Sequence, residues 1–204
     1  QDLPNYRVFD EKRWFEPGQG SLLVDIKGVR AGILICEDIW HDHPMDSVMS
    51  LGAEVILVLN ASPYSHDKPE KREQVVVRQV LKHQVPMAYV NLVGGQDGLV
   101  FDGGSMLFSR EGVRILRAPL FESGVFFGEL PIDNTELPAA ATYQHEALDA
   151  HVYKALVTGM RDYVRKNGFK GVLLGLSGGI DSSLTLAIAA DALGAENVEA
   201  IRMP

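Results

Sequence analysis

Three apolar, β-branched runs alternate with two amphipathic stretches in the first half of the chain, and that alternation narrows the fold more than any other feature. Residues 28–36 (GVRAGILIC), 54–59 (EVILVL) and 85–93 (VPMAYVNLV) are nearly continuous in hydrophobic character. Strands covered on both faces read this way, whereas a strand with one wet face alternates. Between the first two, Pro44 opens a short helix with Met45, Val48 and Met49 on one face and Gly52 as its stop. Between the second and third, 69–84 is acidic early and basic late, as the helix dipole prefers, with Val77, Val80 and Leu81 available to a core. The order β-α-β-α-β predicts an α/β layer structure.

The pattern then changes. Residues 103–109 and 113–118 flank Arg110-Glu111-Gly112, a hairpin signal, and 125–132 reads as a further strand. Periodicity is lost over 134–144 (NTELPAAATYQ), which reads as a linker. Beyond it, 145–167 predicts a helix with Leu148, Val152, Leu156 and Met160 at helical spacing, ended by Gly168. A strand over 171–175, a helix over 181–193 stopped by Gly194, and a strand over 198–203 complete the chain.

Composition sets outer bounds. The chain is 46% hydrophobic and 23% charged, as in ordinary globular proteins. No apolar run approaches the ~20 residues of a membrane span. A net charge of −8 argues against a nucleic-acid surface. The single cysteine excludes an internal disulfide framework and fits a reducing, cytoplasmic setting. The chain opens on Gln1 rather than Met and closes just after a new β-α-β stretch, so it is expected to belong to a longer polypeptide.

Two segments carry chemistry. Cys36 ends a hydrophobic strand and is followed by Glu37-Asp38-Ile39-Trp40. A strand end exposes a side chain over the sheet edge, and a nearby helix start lowers a thiol pKa, which suits a nucleophile attacking an amide. From position alone, a small, buried and inert apolar residue is the favoured reading, since free cysteines are mostly of that kind. His41, His43 and His66 lack zinc-ligand spacing and read as loop and cap residues. Trp14, Phe15 and Trp40 read as core or interface aromatics.

The second segment is 171–183, GVLLGLSGGIDSS. Gly178 and Gly179 let the backbone turn tightly and approach a ligand. The amides of Ser177, Gly178, Gly179, Ile180, Asp181, Ser182 and Ser183, with the helix start, form a concavity for phosphate. Asp181 alone would repel phosphate, and its presence makes sense as a ligand to Mg(2+). The pattern is neither a Walker A loop nor G-x-G-x-x-G.

The blocks LPNYRVFDEKRWF, ILICEDIW, NASPYSHDKPEKR and FDGGS together resemble the nitrilase superfamily, and more narrowly the glutaminase domain of NAD(+) synthetases. SGGIDS resembles the pyrophosphate loop of the N-type ATP pyrophosphatases. The resemblance implies the C-terminal part of a nitrilase-like α-β-β-α sandwich over 1–133, then the start of a Rossmann-like parallel α/β domain over 145–204. It implies that Cys36 is the nucleophile, that Tyr6, Glu37 and Ser62 line a glutamine pocket, and that 177–183 bind ATP with Mg(2+). Glutamine hydrolysis at Cys36 would then supply ammonia to amidate adenylated deamido-NAD(+). A homo-oligomer is also implied. The family's catalytic lysine and glutamate lie ahead of the LPNY block, so the chain alone is expected to be inactive. Where the family pattern suggests an acidic residue after Asp97, this chain has Gly98. A stand-alone carbon–nitrogen hydrolase has no use for SGGIDS, and a non-catalytic scaffold has no use for a reactive Cys36.

Overall fold

A computed structural model describes residues 2–6, 8–132 and 146–202. The expected linker at 134–144 lies outside them. Strand β1 (Leu22–Ile26) turns into β2 (Val29–Ile35) through Lys27 and Gly28, both at positive φ, 53° and 87°. Such a turn matches the twist of paired strands, and the Asp25 carboxylate accepts the Gly28 N–H at 2.9 Å. Helix α1 (Asp42–Ser50), β3 (Val55–Asn60), α2 (Lys68–His83) and β4 (Met87–Asn91) follow. A small hairpin comes next, β5 (Val93–Gln96) and β6 (Leu99–Asp102). Strands β7 (Met106–Phe108) and β8 (Arg114–Arg117) return antiparallel, with an irregularity at Leu107/Phe108.

One six-stranded sheet runs β1-β2-β3-β4-β7-β8. Its centre, β2-β3-β4, is parallel, and its flanks are antiparallel. Helices α1 and α2 cover the parallel centre, burying Met45, Val48, Val76 and Val80 against Leu34, Ile56, Val58 and Met87. Gly32 permits this closeness: a Cβ there would stand 2.6 Å from the Val48 side chain.

The remainder forms a second layer unit. Helix α3 (Leu148–Lys166), β9 (Val172–Leu176), α4 (Ile180–Leu193) and β10 (Val198–Arg202) give a parallel pair, β9 with β10. Val164 packs with Ala192 and Leu193. No described helix is long and apolar enough to cross a membrane.

The structure revises four details. The inner face of α2 is Arg72, Val76, Gln79 and Val80, while Leu81 is exposed. Residues 125–132 form no strand: Val125 and Phe127 stand 80% and 89% exposed, with no ladder to join. Leu148, Val152 and Leu156 are exposed, and α3 instead buries Ala155, Thr158 and Val164. Val152, Leu156 and Met160 line an open groove of about 840 Å³ with Leu99, Val100 and Leu173. Trp14 and Phe15 are exposed and outside the core.

Candidate functional site

Cys36 follows β2 directly and opens a 3-10 turn, Cys36–Trp40. Its φ is +42°, left-handed backbone that costs a β-carbon residue about 1–2 kcal/mol. Such strain persists only where the surroundings enforce it, and here they do. The buried Asp38 carboxylate accepts the Ile35 N–H at 2.9 Å with one oxygen and the Asp2 N–H at 2.8 Å with the other. Buried Gln79, from α2, donates to the carbonyls of Ile39 and His41 at 3.1 and 3.3 Å. Arg78 donates to the Trp40 carbonyl at 3.1 Å. The turn is thereby held on both sides while Cys36 faces a cleft of about 440 Å³.

That cleft is lined by the N-terminal segment (Leu3, Pro4, Phe9, Phe15) and by Cys36, Glu37 and Ala61. The Tyr6 hydroxyl donates to a Glu37 carboxylate oxygen at 2.9 Å, so two of the expected glutamine contacts meet at its edge. Ser62 is buried beside Ala61, and its N–H donates to the Asn91 side-chain carbonyl at 3.0 Å. Lys68 stands over the Trp40 ring, 4.1 Å from its centroid.

The thiol differs from the sequence expectation. Burial pushes its pKa above the ordinary thiol range, and the Glu37 charge adds to the rise. The Ala61 backbone beside the sulfur and the charges of Lys68 and Arg72 pull the other way without prevailing. Burial outweighs a single helix turn because desolvation acts on the whole thiolate. The thiolate is the reactive form, so alkylation of Cys36 by iodoacetamide is expected to inflect at a higher pH than in a urea-unfolded sample. An inflection below the unfolded value would contradict the burial.

Around the phosphate loop, β9 runs into Ser177, and α4 begins at Ile180 with Gly179 as its N-cap. Gly178 has φ +82°, and a Cβ built there meets nothing within 4 Å. The turn needs the glycine conformation, and the space above it is open. The Ser182 and Ser183 hydroxyls donate to the Gly179 carbonyl at 3.0 and 2.9 Å, and the Ser177 and Ser182 hydroxyls lie 3.3 Å apart. The N–H groups of the first α4 turn have no partners within the helix, leaving donors for an anion. Asp181 lies in that turn. Among the described residues, no group of three or more His, Cys, Asp or Glu side chains is gathered around a metal-sized space.

Sequence reading missed Asp38, Gln79 and Asn91. The backbone groups they hold are distant in sequence or hidden in a turn. The β5–β6 hairpin was also missed, although Asp97-Gly98 is a hairpin signal. Asp97 takes φ +51°, and a Cβ on Gly98 would meet nothing within 4 Å, so the departure there leaves the turn intact.

Comparison with known proteins follows this division. The carbon-nitrogen hydrolase family model matches residues 2–138, and the NAD synthase family model matches 152–204. A glutamine-dependent NAD(+) synthetase from Acinetobacter baylyi is 45% identical over 203 residues, covering 100% of this chain and 38% of its own length. One from Thermotoga maritima is 40% identical over 236 residues, covering 99% and 41%. The chain thus spans about two fifths of these curated relatives. The structure of glutamine-dependent NAD+ synthetase from Acinetobacter baumannii in complex with ADP superposes with a TM-score of 0.91 at 44% identity, covering 100% of this chain and 39% of that one. An amidase from Nesterenkonia sp. AN1, solved after Michael addition of acrylamide at its active-site cysteine, superposes with a TM-score of 0.51 at 25% identity over 59% of this chain and 46% of its own. With a strained cysteine at a strand end, a cleft above it and a family match over two thirds of its length, the chain belongs to the carbon–nitrogen hydrolases.

Proposed function

We propose that this chain carries the junction of a glutamine-dependent NAD(+) synthetase, with residues 1–133 from its glutaminase, 134–144 as linker and 145–204 opening its synthetase. The observation that carries the reading is the succession in one chain of two built features. A strained, cleft-facing Cys36 is followed by a strand-glycine-helix turn that presents a helix start to an open face.

In this reading the Cys36 sulfur attacks the side-chain amide carbon of glutamine. The C–N bond breaks, ammonia leaves, and water hydrolyses the thioester to glutamate. Glu37, held by Tyr6, pairs with the substrate ammonium, and Tyr6 and Ser62 fix its polar ends. A thiol kept protonated by burial needs a base. Family resemblance supplies one from the glutamate upstream of the LPNY block. The loop 177–183 holds the ATP phosphates, through the amides that open α4 and the hydroxyls of Ser177, Ser182 and Ser183. The residues present fit Mg(2+), which binds through one or two carboxylates plus phosphate oxygens, with Asp181 as the carboxylate. Magnesium supplies charge neutralisation while ATP yields AMP and pyrophosphate. Ammonia displaces AMP from adenylated deamido-NAD(+), giving NAD(+). The complex of the A. baumannii relative with ADP supports nucleotide binding, and a homo-oligomer is proposed from the nitrilase resemblance alone.

Calorimetry on the full-length gene product tests the synthetase half. Wild type is expected to bind Mg-ATP. Gly178→Val is expected to weaken it at least about tenfold, since a β-branched residue at φ +82° is strained by 1–2 kcal/mol or more and its methyls enter the open face. A folded wild type that ignores Mg-ATP would end the assignment.

A further inference from the structure

The two layer units meet through an apolar contact, Leu120 and Phe121 against Ala155, and through a polar clamp on one residue, Gly95. The Asp162 carboxylate, from α3, accepts the Gly95 N–H at 2.8 Å, and the Lys166 ammonium donates to the Gly95 carbonyl at 2.5 Å. Arg161 donates to the second Asp162 oxygen at 3.1 Å. The approach is as close as backbone allows. A Cβ on Gly95 would lie 3.1 Å from the Gly159 Cα, and one on Gly94 would lie 2.7 Å from an Asp162 oxygen. Gly159 sits inside a helix, where it costs roughly 1 kcal/mol against alanine. The hairpin seated on it gives that glycine a role.

From Gly95 the contacts continue without a gap. Strand β5 pairs with β6, Val93 opposite Asp102. The next carbonyl, of Gly103, accepts from Arg72 at 3.2 Å and from the Asn91 side chain at 3.1 Å. Asn91 in turn accepts the Ser62 N–H at 3.0 Å, and the neighbouring Ala61 lines the same cleft as Cys36. We infer that Asp162 is a positioning residue for the Cys36 site: by clamping the Gly95 peptide it makes the Ala61–Ser62 backbone beside the thiol depend on the docking of α3. This rests on the glutaminase reading for its catalytic meaning, but the mechanical claim stands apart from it. Spatial continuity alone does not establish coupling, so the test must read both ends of the path.

Hydrogen exchange in the intact chain does so, comparing wild type, Asp162→Ala and Asp162→Asn. Loss of the acceptor in Asp162→Ala is expected to speed exchange at least about tenfold both at Gly95 and in the segment 60–63. Amides of α4 between Ile188 and Leu193, held by their own packing against Val164, should not change. Asp162→Asn keeps an acceptor oxygen and is expected to stay near wild type at both places. If Asp162→Ala frees Gly95 but leaves 60–63 as protected as before, the clamp is local and the inference fails. If α4 loosens as well, Asp162 is a general structural residue and the inference also fails. In the full-length product the same variant should lower kcat for glutamine about tenfold, because small displacements of a nucleophile are costly, and leave ammonia-dependent synthesis within about twofold. An inactive wild type would refute the function reading while leaving the exchange result to decide the clamp.

Discussion

Arg72→Met is expected to lower the unfolding free energy by about 3–5 kcal/mol. Arg72 and Asp102 are 3% and 0% exposed and are paired with each other. Arg72 also donates to Gly103, so one guanidinium ties α2 to the end of β6. Methionine fills a similar volume but leaves the Asp102 carboxylate in apolar surroundings with its charge uncompensated. Even with Arg72 present, burial holds the Asp102 carboxyl above the ordinary carboxylate range. The sign of the pH effect follows. A carboxyl whose folded pKa is raised keeps its stability below the unfolded pKa and loses it as pH rises through the folded one. The Arg72→Met deficit should therefore shrink between neutral pH and about pH 4. Adding Asp102→Leu removes the stranded charge and should restore much of the loss. Urea unfolding reads all three. A single variant within about 1 kcal/mol of wild type at pH 7 would show that the pair is solvated.

The layer order of the fold was legible because β2, β3 and β4 read as unbroken apolar runs, although only the face under α1 and α2 is buried and Ile35, Leu59 and Val90 on the other stand half exposed. The β5–β6 hairpin was not legible, since Gly94 and Gly95 have no side chains to show a period and their reason for being glycine lies on α3, more than sixty residues away. Residues 125–132 show the converse error. Val125, Phe126 and Phe127 have strand propensity, but propensity makes no strand without a partner edge. At the site, residue type and motif singled out Cys36 and the SGGIDS turn. The positive φ at Cys36 and the burial that raises its pKa were hidden, because the turn that sets both is held by Asp38 and Gln79. Tyr6 donates to Glu37, a contact that the sequence did not encode. Ser62 arrives with its backbone committed to Asn91, a contact that no local pattern encodes.

Cys36→Ala carries the largest expected change in activity. Removing a nucleophile from a covalent mechanism costs roughly a thousandfold or more, because no remaining group can form the intermediate. The loss should be confined to one nitrogen source, since Cys36 and the phosphate loop sit in separate layer units with separate cores. The decisive measurement feeds the full-length gene product glutamine labelled with heavy nitrogen in its side-chain amide, together with Mg-ATP and deamido-NAD(+), and follows the label by mass spectrometry. In wild type the label is expected in the carboxamide of NAD(+). In Cys36→Ala it should vanish from the product, while added ammonium still yields unlabelled NAD(+). Labelled NAD(+) from the alanine variant, or a folded wild type that leaves the label in glutamine, would contradict a Cys36-derived ammonia feeding the second site.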